Sequence, residues 1–203
     1  MRTTTKTLLQ MALRRAARGT GSSVEFLERS RTAMMPIPDL TTILGAIRWV
    51  LIGGIALRAY VPERMTLDVD ILIHADDEPA AHAAFSVAGY HITGPLSIGG
   101  FTAHASAATA PIDVITSSAP WLEEALTTPT YDVVGFPVMP RPYLLLLKLQ
   151  AGRSQDLADI QRLLRGTSVE ERSHMRTIIA NADLDLVEDF EALCTLADLE
   201  YGS

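Results

Sequence analysis

The stretch LIGGIALRAYVPERMTLDVDILI, residues 51–73, decides how this chain is read. An apolar run, Trp49 to Ile52, reaches the pair Gly53-Gly54. A short helical pattern follows, and a second apolar run then carries Asp68 and Asp70, one residue apart. Strand side chains alternate between faces, so positions i and i+2 point the same way. The two carboxylates are expected to project together, about 7 Å apart at their backbones. A Gly-Gly turn lets backbone approach a ligand with no Cβ in the way. A helix starting near Ile55 would aim its N–H groups at a phosphate. Magnesium takes hard oxygen ligands, usually one or two carboxylates plus substrate phosphates, and this stretch offers both halves of such a site. It is neither a dinucleotide fingerprint nor a Walker loop: GGIALR lacks the spacing GxGxxG, and no Gly-Lys-Ser/Thr follows.

An Asp-x-Asp pair alone says little, since a solvated edge strand can carry one. Here it sits among Leu67, Val69, Ile71, Leu72 and Ile73, and carboxylates in an apolar strand are costly unless paired or metal-bound. Asp113 occupies the same kind of setting, within Pro111-Ile112-Asp113-Val114-Ile115. If the two strands are neighbours, three carboxylates converge, and such a triad can hold two divalent ions about 4 Å apart.

Composition sets the outer limits. The 203 residues suffice for one domain, or a core domain with a helical extension. Apolar residues make up 48%, which predicts a globular protein, and no apolar run approaches a membrane span. Cys194 is the single cysteine, so an intrachain disulfide and a thiolate zinc cluster are excluded. A cytoplasmic location is the expectation that fits. The net charge of −7 argues against a general nucleic-acid surface. The charge is uneven: residues 1–19 are basic (Arg2, Lys6, Arg14, Arg15, Arg18), and the tail from Gly166 is acidic. The basic segment reads as an amphipathic helix with Leu8, Leu9, Met11, Ala12 and Leu13 on its apolar side.

Three regions are expected: an N-terminal helical segment (1–47), a strand-rich α/β core (48–140) and a C-terminal helical region (141–203). The first holds helices over 4–18, 23–34 and 40–47, with Ser22 or Ser23 as an N-cap. Core strands are expected at 49–52, 67–73, 100–107, 112–116 and 131–138, the last with a turn at Gly135. Core helices are expected at 56–60, 79–88 and 119–127. The C-terminal region reads as helices over 143–150, 155–164, 169–180 and 184–199. Strands mixed with helices, then a helical run, indicate an α+β fold. Trp49 and Trp121 are expected in the core. The five histidines lack ligand spacing, and Ser117-Ser118 lacks the GxSxG elbow of a hydrolase.

The stretch from Lys148 to Asp159 admits two readings. Gly152 can end one helix, Ser154 can cap the next, and Asp156 can sit in its first turn and pair with Arg153. Lys148 interrupts the run Leu144–Leu149 and needs an acidic or phosphate partner if buried.

Taken together, these residues resemble the DNA polymerase beta-like nucleotidyltransferase superfamily. The nearer likeness is to its minimal members, including nucleotidyltransferases of abortive-infection toxin–antitoxin systems. Their pattern GG-x-A-L…R-x-T-x-D-x-D is matched by Gly53-Gly54-Ile55-Ala56-Leu57, Arg64-Met65-Thr66 and Asp68-Val69-Asp70. Their later Lys, Ala, Arg, Asp and Asp-Ile are matched by Lys148, Ala151, Arg153, Asp156 and Asp159-Ile160. The likeness covers about residues 48–165. It implies a polymerase beta-like mixed-sheet core, with Gly53 and Gly54 holding the triphosphate and Asp68 and Asp70 ligating magnesium. Asp113 would be the third carboxylate, a base or metal ligand, and Lys148 would meet the phosphates as a point charge. Arg64 and Thr66 are grouped with the nucleotide contacts, although fixing the loop is an equal reading. Gly54 departs from the many superfamily members with Ser at that position, so only backbone contact is offered there.

The expected activity is transfer of a nucleoside monophosphate from a magnesium-bound nucleoside triphosphate to an acceptor hydroxyl on tRNA, protein or a small molecule. The chain would then be an enzyme of nucleotidyl transfer, in one version a toxin with an antitoxin partner. The alternative is an inactive nucleotide-binding or interaction module that keeps the fold.

Overall fold

The computed structural model describes residues 37–61, 68–105 and 110–202. The helices expected over 4–18 and 23–34, with their cap, lie outside these residues. The chain divides into two compact units, a sheet unit ending at Pro140 and a helical unit from Arg141 onward.

The sheet unit begins with α1 (Leu40–Leu44), whose first turn is capped by the Asp39 carboxylate accepting from the Thr42 N–H at 3.2 Å. Then come β1 (Trp49–Leu51), β2 (Val69–His74), α2 (Glu78–Val87), β3 (His91–Thr93), β4 (Gly100–His104) and β5 (Ile112–Ser117). The unit ends with α3 (Leu122–Thr127), β6 (Thr130–Tyr131) and β7 (Pro137–Val138). Among the described residues the seven strands form one mixed sheet in the order β3-β4-β5-β2-β1-β7-β6.

The centre of the sheet is the parallel pair β2–β5, two six-residue strands rich in Ile and Val, in register from Val69 opposite Ile112 to His74 opposite Ser117. Val69, Ile71, Ile73, Ile112 and Val114 are buried, as alternation requires of one covered face. On β4 the same alternation buries Phe101 and Ala103. Phe85 of α2 meets Phe101 edge-on, ring centroids 5.9 Å apart, so α2 packs on this face.

Several elements differ from expectation. After Gly53-Gly54 the chain makes a five-residue 3₁₀ turn, Ile55–Ala59. Its dipole is too short to carry the phosphate argument made for a longer helix. β4 ends at His104, and α3 starts at Leu122 rather than Ala119. The strand expected over 131–138 with a turn at Gly135 is two short strands, β6 and β7, paired as a hairpin, and the expected turn passes through Gly135 at φ 93°. β3 was not expected; its three residues become a strand by pairing with β4. Trp49 is buried against Phe136, whereas Trp121 is half-buried at the start of α3.

The helical unit contains α4 (Arg141–Ala151), α5 (Ser154–Leu164), α6 (Val169–Ala182) and α7 (Val187–Tyr201). Tyr143, Leu144, Leu145, Leu146, Lys148 and Leu149 of α4 are all buried, so this helix is covered on most of its circumference. The turn into α6 is a capping box: the Ser168 hydroxyl accepts from the Glu171 N–H, and the Glu171 carboxylate accepts from the Ser168 N–H. Arg172 of α6 forks onto Asp198 of α7 at 2.9 and 2.7 Å, and that carboxylate raises the arginine's pKa further.

Candidate active site

Asp70 and Asp113 are direct register partners on the central parallel pair. Neighbouring strands lie about 4.8 Å apart, so the two carboxylates start from adjacent backbone positions on one face. Like charges this close favour a bound cation. Both residues are half-buried, while Asp68 is exposed one residue ahead of β2.

Gly53 closes one side of the pair. Its φ is 66°, and a Cβ built on it would lie 1.9 Å from Asp70 Oδ2. The Asp70 carboxylate therefore rests against the bare Cα of the glycine turn, a close approach that only Gly permits. The Ile52 N–H donates to the Asp70 carbonyl at 2.9 Å and holds the turn against β2. Gly54, by contrast, has an ordinary helical backbone with φ −70°.

On the other side, Thr102 of β4 is the register partner of Asp113 and donates its hydroxyl to Asp113 Oδ1 at 2.7 Å. Sequence reading missed Thr102, although its strand was expected; alternation within β4 places it opposite the covered face. A second omission is Arg58, which follows the glycine turn and forms a buried ion pair with Asp132. Asp132 also accepts from the Val134 and Phe136 N–H groups at 3.0 and 2.9 Å, so one carboxylate organises the β6–β7 loop and ties it to the 3₁₀ turn. Arg58 Nε has no hydrogen-bond partner among the described residues.

The donor set suits magnesium, because two adjacent hard carboxylates beside a glycine turn meet its need for one or two protein oxygens plus phosphates. Among the described residues no group of three or more His, Cys, Asp or Glu side chains is arranged to hold a metal ion. The convergence observed is thus a pair, Asp70 and Asp113. Arg64 and Thr66 lie outside the described residues. Lys148 belongs to the helical unit, where its buried amine donates to Asp159 at 2.8 Å and to Asp156 at 3.4 Å. Those carboxylates are the acidic partners its burial demands. Arg153 pairs with Asp156 at 2.7 Å, and Gly152 follows α4 with φ 61°. Ser154 is the first residue of α5 rather than its cap; Arg153 holds the cap position.

His74 accepts from the Asp76 N–H through Nδ1 and is engaged in its own turn. Burial pushes the Cys194 thiol up to about 11, so it is protonated at neutral pH and unsuited to nucleophilic chemistry.

No protein-family model and no curated protein matches the chain. Among solved structures it is similar to a solution structure of the antibiotic-resistance factor ANT(2'')-Ia. The TM-score is 0.50 at 12% identity, over 75% of this chain and 95% of that one. A crystal structure of ANT(2'')-Ia in complex with adenylyl-2''-tobramycin is similar with a TM-score of 0.50 at 15% identity, over 70% of this chain and 95% of that one. The α+β architecture with its seven-stranded mixed sheet is therefore a fold shared with ANT(2'')-Ia.

Proposed function

We propose that this chain is a nucleotidyltransferase that moves a nucleoside monophosphate from a magnesium-bound nucleoside triphosphate to an acceptor hydroxyl. The observation that carries the reading is the register pairing of Asp70 with Asp113, with the Gly53 turn packed on Asp70. In the step, the acceptor oxygen bonds to the α-phosphorus, the bond from that phosphorus to the bridging oxygen breaks, and pyrophosphate leaves with the electron pair. The acceptor proton passes to Asp113 and from there to water. Asp70 and Asp113 would hold the cation, with Asp68 at the entrance to the strand, and the glycine turn would admit the triphosphate close to the backbone. Magnesium held there would offset the negative charge of the phosphates as the bond to the leaving group breaks. Alignment is the catalytic contribution of this chain's carboxylates, which would position the cation against the phosphates.

A small-molecule hydroxyl is the acceptor class favoured, because one structure of this fold holds adenylyl-2''-tobramycin. Acceptors on tRNA or protein belong to the toxin reading, with an antitoxin as partner. The test supplies each α-labelled nucleoside triphosphate with magnesium to total RNA, a protein extract and a panel of polyhydroxylated amines. Label should enter one acceptor class with the wild-type chain and fall at least about 100-fold in Asp70→Asn, the scale expected for loss of a site that stabilises developing charge. Equal transfer by the variant would sink the mechanism. Magnesium-dependent nucleotide binding without turnover on any acceptor would favour the binding-module reading.

A further inference from the structure

Thr102, Asp113 and Asp70 stand in one row across three adjacent strands, β4, β5 and β2. The Thr102 hydroxyl donates to Asp113 Oδ1 at 2.7 Å, and both residues are half-buried. A carboxylate's last torsion has a broad, shallow profile, so an unsupported aspartate samples many orientations. Threonine is stiff at χ1, and a hydroxyl donating to an ionised oxygen makes one of the stronger hydrogen bonds. Being neutral, it orients the carboxylate without cancelling the charge that a cation needs.

We infer that Thr102 is a positioning residue that locks the Asp113 carboxylate through Oδ1 and leaves Oδ2 to serve the ligand shared with Asp70. The inference rests on the proposed role of Asp70 and Asp113. A merely structural hydroxyl would contribute to stability and nothing else. A positioning hydroxyl sets cation affinity, which is measurable without knowing the acceptor.

The experiment titrates the full chain with Mn²⁺ in the presence of a non-hydrolysable ATP analogue, reads free Mn²⁺ by electron paramagnetic resonance, and follows thermal melting in parallel. Thr102→Val keeps the shape and removes the donor; it should weaken Mn²⁺ binding about tenfold, the worth of one hydrogen bond to a charged group. Thr102→Ser restores the hydroxyl and should return the affinity to within about twofold of wild type. Thr102→Ala must behave as Thr102→Val does, which keeps the test valid if the valine variant folds poorly. Wild-type affinity in Thr102→Val and Thr102→Ala, or failure of Thr102→Ser to rescue, overturns the positioning role. Wild-type affinity in both Asp70→Asn and Asp113→Asn overturns the reading of the site itself. Loss in those two with no change on removing the Thr102 hydroxyl overturns only the inference about Thr102.

Discussion

Gly53 and Gly45 both take a positive φ, 66° and 59°, but a methyl group added to each would meet different surroundings. At Gly45 nothing lies within 4 Å, whereas at Gly53 the new Cβ would sit 1.9 Å from Asp70 Oδ2. Gly45 has ψ −113°, outside the left-handed helical well, so Gly45→Ala should cost only the backbone strain, about 1–3 kcal/mol. Gly53→Ala should cost that strain and also drive the Asp70 carboxylate from its place. Denaturant melts of both variants, with Mn²⁺ titration, make the comparison. A larger loss of stability in Gly53→Ala than in Gly45→Ala, with cation binding lost only in Gly53→Ala, is the expected outcome. Cation binding unchanged in Gly53→Ala would remove the glycine turn from the site. The turn at Gly53 was legible in the sequence because a Gly-Gly pair ends an apolar strand, but its close packing on Asp70 was not. Nor was the pairing of Asp70 with Asp113. A strand can slip by two residues and keep every side chain on its face, so alternation alone does not say which aspartate faces Asp113.

At the scale of elements, α4 and α5 meet through charges rather than through apolar contact alone. Lys148, Asp156 and Asp159 have side chains exposed by no more than 5%, and the amine lies within reach of both carboxylates. Removing one member of such a buried group leaves the others uncompensated, which costs about 3–5 kcal/mol. Lys148→Met should destabilise the chain by that amount in chemical denaturation. A Lys148→Met variant of wild-type stability with weakened nucleotide binding would instead return Lys148 to the phosphate role that the resemblance implied. The helix was legible from Leu144–Leu149, and the need for a partner from the lysine that interrupts it. Which partner it takes depends on how α5 packs on α4, a tertiary matter. β3 shows the same limit: His91-Ile92-Thr93 has no strand-like run of its own and is defined by the edge of β4 that it completes.

For the whole molecule, charge and fold make separate statements. No helix among the described residues is long and apolar enough to cross a membrane. With a net charge of −7, non-specific affinity for RNA should be weak, since that affinity comes from neutralising phosphates. Total tRNA should show no saturable binding below about 100 μM at physiological salt, read by fluorescence anisotropy. Micromolar, steeply salt-dependent binding that disappears on deleting residues 1–19 would assign a local RNA contact to the basic segment. The sequence by itself determined the α+β class, the glycine turn, the carboxylate strand and the helical run after Arg141. Each of these is written in local periodicity and in residues with few conformational alternatives. Only the tertiary structure decided that β2 and β5 pair in parallel with Asp70 opposite Asp113, that Thr102 completes their row, and that Arg58 reaches Asp132. Those contacts join residues 11 to 74 positions apart, and long-range pairing depends on how all the buried faces fit at once.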